Sequence, residues 1–362
     1  MSSPTTIRAV SVEPLDIPLR EPFGIASGAQ DLARNLLITV ELADGTRGYG
    51  EAAPFSAFNG ETQASARAAV EVARTTVEGA DVREWRRIAA ATHTAIGPIG
   101  SAQCALETAV LDALTRHARI PLWAFFGGVG TSLETDMTIT TGTVEQAAQA
   151  ARAILDRGIR TIKIKIGTSD LPLDLERIAK IHAIAPESPL ILDGNGGYTA
   201  DTALQLLASL HLQGITPALF EQPVARDDWD GLRQVAQWGA VRVAADESVS
   251  NACDAMRVAQ ERAAHVVNIK LMKSGIVEAL DIAAVCRAAF LRLMIGGMVE
   301  SILAMTVSAC FAAGLGGFKY VDLDTPLFMA ENPFEGGFVQ TGGYLDLSGI
   351  QAGHGVEPRG KT

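Results

Sequence analysis

Five charged residues, Lys165, Asp193, Glu221, Asp246 and Lys270, recur at steps of 28, 28, 25 and 24 residues. Each closes a short apolar run: TIKIK, PLILD, ALFE, VRVAAD and HVVNIK. A strand, a helix and two loops take up about 25–30 residues, so the steps match a repeating βα unit. Eight such units close into a barrel whose strand C-termini converge on one face, where catalytic groups gather. Three carboxylates and two ammonium groups would then share one pocket.

The rhythm starts at Thr135. Strands are expected at Met137–Thr140, Thr161–Ile166, Leu190–Asp193, Leu219–Glu221, Val243–Asp246, Val266–Lys270, Arg292–Ile295 and Tyr320–Asp324, with helices such as Val144–Arg157, Leu173–Ile184 and Ala200–Leu212 between them. Before it, strands at Ile7–Leu19 and Asn35–Glu41, a hairpin turn at Asp44-Gly45 and helices at Thr62–Val77, Val82–Thr94 and Ser101–Ala118 indicate an α+β unit. Two glycine-bearing loops, EPFGIASGAQD and APFSAFNGET, would reach toward the barrel mouth. The expected partition is an α+β capping domain over 1–128, a (β/α)8, TIM-like barrel over 129–327, and a glycine-rich tail over 328–362 that returns to the capping domain.

Composition excludes some classes of function. The chain has 362 residues and a formal net charge of −11, which argues against nucleic acid as partner. No apolar run is long enough to span a bilayer, so no membrane partner is expected. The start MSSPTTIRAVSVE lacks the order of a signal peptide, and Cys104, Cys253, Cys286 and Cys310 form no CxxC pair. Reduced thiols and a cytoplasmic location follow as expectations. No GxGxxG segment is present, which argues against a dinucleotide cofactor.

In TIKIK the isoleucines share one strand face, and Lys163 and Lys165 share the other. Buried ammonium groups need anions; the alternative is an exposed edge strand carrying solvated lysines. Asp193, Glu221 and Asp246 would repel one another without a cation. Taken singly, each could be a helix-start acid. Together, oxygen-only ligation suits Mg²⁺, and the lack of His or Cys at these positions argues against zinc. Asn195, in register with Asp193, would support the same pocket, as would Asn268 in NIK.

A cation there could hold a substrate carboxylate while a lysine removes the neighbouring α-proton. Lys163 would assist electrostatically. Lys165 and Lys270 lie four strands apart in an eight-strand barrel, hence on opposite walls. One would take the proton and the other return it, inverting the carbon.

The set KIK, LDGNGG, FEQP, ADES and NIKLMKSGI resembles the enolase superfamily, in its muconate-lactonizing subgroup, over essentially the whole chain. The resemblance implies one Mg²⁺ per subunit on Asp193, Glu221 and Asp246, Lys165 and Lys270 as acid/base pair, and a homo-oligomer. At the eighth strand KYVDLDTPLF places Asp322 and Asp324 in one register, similar to the Asp-x-Asp of dipeptide epimerases, which holds a substrate α-ammonium. A simple cap role for Asp324 is the alternative.

The implied activity is dipeptide epimerisation; N-succinylamino acid racemase or o-succinylbenzoate synthase is the alternative. Relatives specific for L-Ala-L-Glu carry an arginine where this chain has Gly28, with Arg20 and Arg34 at the loop's ends. A neutral, hydrophobic or cationic dipeptide is therefore expected. Ile25, Phe55 and Met298 are further candidates for substrate contact, with Phe23 and Phe58 on the same loops. Glu300 could touch substrate or start a helix. The six histidines are set aside as mostly surface or partly buried.

Overall fold

The computed structural model describes residues 3–25, 28–168 and 170–360. Strands β1 (Ile7–Ile25), β2 (Gly28–Leu42) and β3 (Arg47–Ala52) form an antiparallel meander. The segment EPFGIASGAQD, expected as a loop, instead extends the hairpin: Phe23 pairs with Gln30 and Ile25 with Gly28, beyond a register break after Pro18. Pro18 and Pro22 lack ladder donors, which is why that stretch reads as loop in sequence.

Helices α1 (Gln63–Val77), α2 (Trp85–Ile96) and α3 (Gly100–Ala118) cover the sheet. A capping box between Thr62 and Ser65 starts α1, and its buried residues Ala66, Ala69, Val70, Ala73 and Val77 follow helical spacing. The expected helix at Val82 opens with a 3-10 turn, Val82–Glu84, before α2. α3 is buried nearly all round because it lies between sheet and barrel. Gly50 permits that packing: a Cβ there would meet the Ala105 carbonyl oxygen at 2.0 Å.

The barrel strands are β4 (Met137–Ile139), β5 (Ile162–Lys165), β6 (Leu190–Asp193), β7 (Leu219–Glu221), β8 (Val243–Ala245), β9 (Val266–Lys270), β10 (Arg292–Gly296) and β11 (Phe318–Val321). They form one parallel eight-stranded sheet in sequence order. The amide of Asp136 donates to the Val321 carbonyl at 3.0 Å, stitching the first strand to the last. Helices separate the strands, among them α4 (Val144–Asp156), α5 (Leu171–Ile184), α6 (Ala200–Leu212), α7 (Trp229–Gln237), α8 (Ala252–Glu261), α9 (Ile276–Ala288) and α10 (Ile302–Leu315).

Strand alternation explains where the charges sit. Ile191, Leu219, Ala244, Val266 and Met294 form an apolar plug inside the barrel. Two residues further along the same inward faces come Asp193, Glu221, Asp246, Asn268 and Gly296. The interior is thus apolar at the bottom and charged toward the strand C-termini. Asp246, Asp322 and Asp324 lie just past their strands instead of within them, in the loops at the same face.

Two buried glutamates join capping domain to barrel. Glu51 accepts from Asn35 Nδ2 (2.7 Å), Ser301 N (3.0 Å), Ala304 N (3.2 Å) and the Ser301 hydroxyl, at the N-terminus of α10. Glu107 accepts from Ile276 N (2.5 Å) and Val277 N (2.8 Å), at the N-terminus of α9. Each places an acid where a helix start leaves donors and positive potential. Glu51→Ala strands several buried donors at once, and about 3 kcal/mol of stability should go with them; a leftward shift of the urea midpoint measures this.

The tail returns to the capping side. Val339–Thr341 pairs with Tyr344–Asp346, which pairs with Ser132–Glu134. His354 is fully buried, unlike the surface or half-buried position expected of most histidines. Its Nδ1 accepts from Val356 N at 3.1 Å, leaving Nε2 to face Tyr49 O (3.0 Å) and Asp112 Oδ2 (3.1 Å). Of the cysteines, Cys253 is exposed and the other three are buried. Among the described residues no helix is long and apolar enough to cross a membrane.

Candidate active site

Lys163, Lys165, Asp193, Glu221, Asp246, Lys270, Asp322 and Asp324 are all buried at the C-terminal face of the barrel. β5, β6 and β7 set the first of them in register: Lys165 lies opposite Asp193, and Asp193 opposite Glu221. The turns that follow are tight. A Cβ on Gly197 would stand 2.1 Å from the Gly167 carbonyl oxygen, so LDGNGG requires glycine there. Asn195 and Gln222, just after the β6 and β7 acids, have left-handed φ of 41° and 33°. Such backbone is costly for non-glycine residues and is held by hydrogen bonds. Asn195 donates its amide to Asp193 Oδ1 (3.0 Å) and Nδ2 to Glu247 Oε1 (3.1 Å). Gln222 Oε1 accepts from Asp246 N (2.9 Å), while Nε2 reaches Ser248 Oγ (2.8 Å).

The lysines lie among the acids. Lys163 Nζ is 2.6 Å from Asp322 Oδ2, 2.8 Å from Glu221 Oε2 and 2.9 Å from Asp193 Oδ2. Burial alone would lower this ammonium, but Asp193, Asp322 and Glu221 hold it well above the ordinary lysine range. Lys165 Nζ reaches Asp193 Oδ2 at 2.6 Å, and Lys270 Nζ reaches Asp246 Oδ2 at 2.6 Å. Burial opposes the charged form of Lys270 too, and Asp246 and Glu221 overcome it, raising the group. The edge-strand alternative for Lys163 and Lys165 fails: β5 has neighbours on both sides and both lysines are buried.

The acids divide in response. Burial, then the charge of Asp193, pushes Glu221 up to about 8. Asp193 and Asp246 are buried as deeply, yet the lysines hold both below the usual carboxylate range. Asn268 Nδ2 donates to Glu221 Oε1 at 2.6 Å, whereas Glu221 Oε2 and Asp246 Oδ2 face the ammonium groups of Lys163 (2.8 Å) and Lys270 (2.6 Å). Asp193, Glu221, Asp246 and Glu247, with Asp136, Asp322 and Asp324 behind them, outnumber Lys163, Lys165, Lys270 and Lys273. Buried carboxylate oxygens met only by lysines in an acid-rich hole fit a hard divalent cation.

The pocket above is lined by Phe23, Phe55, Phe58, Met298, Gly297, Thr138, Thr325, Asn195, Lys165, Lys270, Asp322 and Asp324. It brings together the lysine pair, the Asp-x-Asp pair and the aromatic loops. Phe58 stacks on Lys270, with Nζ 4.9 Å from the ring centroid. The Ile25 side chain lies outside the described residues. Arg20 turns away, donating Nε to the Met329 carbonyl at 3.0 Å, and Arg34 is exposed; neither lines the pocket. Glu300 Oε1 accepts from Met298 N at 2.6 Å, so it shapes the turn carrying Met298. Asp324 starts a 3-10 turn but makes no side-chain cap; its Oδ2 accepts from Thr138 N at 2.6 Å. Its simple cap role therefore does not apply.

Sequence reasoning passed over Lys273, Glu247 and Asp136. Lys273 Nζ donates to Asp246 Oδ1 (2.9 Å) and to the Asp246 and Asn268 carbonyls (2.6 and 2.8 Å). Burial lowers this ammonium despite Asp246 beside it. Both Lys273 and Glu247 stand inside the motifs NIKLMKSGI and ADES, from which strand spacing singles out only Asn268, Lys270 and Asp246. Among the described residues, the three acids that each bring one oxygen within 4.8 Å of the others are not Asp193, Glu221 and Asp246 but Asp136, Asp322 and Asp324. Asp136 shares the inward register of Thr138, a signal that strand alternation carries.

Comparison with known proteins gives the family. Residues 7–127 match the family described as mandelate racemase/muconate lactonizing enzyme, N-terminal domain, and residues 145–362 match enolase C-terminal domain-like proteins. An aromatic dipeptide epimerase of Herpetosiphon aurantiacus is 55% identical over 353 residues, 98% of this chain and 99% of its own. The crystal structure of a mandelate racemase/muconate lactonizing enzyme from Roseiflexus sp. superposes with a TM-score of 0.95 at 64% identity, covering 100% of both chains. A dipeptide epimerase from Enterococcus faecalis, solved with Mg and the dipeptide L-Leu-L-Tyr, superposes with a TM-score of 0.93 at 31% identity over 97% of this chain and 99% of that one. The chain is an isomerase that belongs to the mandelate racemase/muconate lactonizing enzyme family of the enolase superfamily.

Proposed function

We propose that the protein is a Mg²⁺-dependent dipeptide epimerase that inverts the α-carbon of the C-terminal residue. The observation that carries this is one pocket lined by Lys165 and Lys270 from strands four places apart, with Asp322 and Asp324 at its edge. Asp193, Glu221 and Asp246 would hold the cation. When bound, it supplies positive charge where the substrate carboxylate gains its second negative charge. Lys165 Nζ and Lys270 Nζ flank the α-carbon: one takes the proton and the other delivers one to the opposite face, with the roles reversed for the other epimer. Asp322 and Asp324 receive the free α-ammonium, and Lys163, between Asp193, Glu221 and Asp322, ties the two subsites together.

Phe23, Phe55, Phe58 and Met298 give the pocket an apolar wall, with no arginine among the described residues that line it. A carboxylate side chain on the substrate finds no partner there, so apolar, including aromatic, dipeptides fit best. A dipeptide library incubated in heavy water tests this: apolar free-amine dipeptides should gain one mass unit and epimerise. Exchange confined to Glu-terminated dipeptides would refute the specificity.

The alternative, an N-succinylamino acid racemase or o-succinylbenzoate synthase, has no amine for Asp322 and Asp324 to bind. Each lost charge-assisted hydrogen bond is worth about 1.5–3 kcal/mol, so the double change Asp322→Asn, Asp324→Asn should raise KM for a free-amine dipeptide about 100-fold or more. Robust wild-type turnover of N-succinyl amino acids that survives the double change would favour the alternative.

A further inference from the structure

Asp136 stands at the barrel seam with 1% of its surface exposed, and neither carboxylate oxygen accepts a hydrogen bond from a donor in the resting structure. An ionised carboxylate left so would be among the costliest groups a protein can bury. The neighbours are acids: one oxygen each of Asp136, Asp322 and Asp324 lie within 4.8 Å of one another. Asp322 is served by Lys163 at 2.6 Å, and Asp324 by the Thr138 amide. Asp136 has neither a lysine nor an amide. Carboxyl groups so close cannot all be ionised, and the one without a cation or amide keeps the proton. Burial, then the charges of Asp322 and Asp324, raises Asp136 well above the carboxylate range, and its hydrogen-bond partner in that form is Asp322.

Asp322 and Asp324 line the pocket; Asp136 does not and so touches no substrate. We propose that Asp136 is a positioning residue of the amine subsite: as a neutral acid it donates its proton to Asp322, fixing that carboxylate between Lys163 and the incoming α-ammonium. A third negative charge at this depth would instead pull Lys163 toward the seam and away from Asp193 and Glu221. The neutral donor orients without adding charge. This inference rests on the dipeptide reading of the pocket.

Asparagine keeps a donor at the same reach and alanine removes it, so the pair separates hydrogen bonding from simple filling of space. Steady-state kinetics on an apolar free-amine dipeptide should show Asp136→Asn within about threefold of wild type in kcat and KM. Asp136→Ala should raise KM about tenfold or more with a smaller change in kcat. Asp136→Val, which fills the space without a donor, should behave like Asp136→Ala and stands in for it if that variant does not fold. Asp136→Asn as impaired as Asp136→Ala, a loss confined to kcat, or no change in Asp136→Ala overturns the proposal. Wild-type protein that exchanges no α-hydrogen on any dipeptide would instead refute the dipeptide reading itself.

Discussion

Lys165→Ala and Lys270→Ala are each expected to reduce epimerisation by about 10³-fold or more, because general acid–base catalysis contributes about 10²–10⁴-fold per group and inversion needs both. The diagnostic result is an asymmetry. Each single variant retains one base on one wall, so it should exchange the α-hydrogen of only one epimer with heavy water. Lys165→Ala should label the epimer whose hydrogen faces Lys270, and Lys270→Ala the other. Mass spectrometry of each purified epimer reads this directly. Both epimers exchanging in either variant would mean that a single base serves both faces, and the opposed-wall mechanism would fall. The geometry behind the expectation is strict: Lys165 ends β5 and Lys270 ends β9, four strands apart in an eight-stranded sheet, and both line one pocket.

What the sequence made legible follows from strand periodicity. Asp193 and Glu221 each end a strand whose inward face is apolar two residues earlier, and Lys165 and Lys270 end theirs at the same near-even steps, so spacing placed all four at one face. Asp322 was legible by register with Asp324, although the strand stops at Val321. The hairpin through Phe23 and Ile25 was not, because the prolines and glycines of the segment mark a loop, although Phe23 finds its partner Gln30 within that same segment. Asp136 was missed for another reason. Strand alternation places it inward with Thr138, but its meaning depends on Asp322 and Asp324, about 186 positions later in the chain. Lys273 sits on a short helical turn after β9, where its reach back to Asp246 cannot be read from spacing.

Removing a metal-facing acid should abolish activity as completely as removing a base, with a signature of its own. Asp193→Asn, Glu221→Gln and Asp246→Asn each keep the volume and remove one negative charge. Around these acids the carboxyl groups outnumber the lysines, and Glu221 Oε2 and Asp246 Oδ2 meet only lysine ammonium groups. With every acid ionised the hole is undercompensated until a divalent cation enters. Each variant should weaken Mg²⁺ binding by more than the 10–100-fold typical of outer-shell changes, with turnover falling below detection. Asn268→Ala, which loses only the 2.6 Å hydrogen bond to Glu221, should fall within that 10–100-fold range. Calorimetric titration with Mg²⁺, independent of turnover, measures both. Stability offers a second readout with the opposite sign. Glu221 is pushed up to about 8 by burial and by Asp193, so its charged form costs stability at neutral pH when no cation is present. Glu221→Gln should thus raise the thermal midpoint of the metal-free protein while destroying its function. A metal-free Glu221→Gln protein less stable than wild type, or one that still binds Mg²⁺ at full affinity, would show that Glu221 belongs to the lysine network alone.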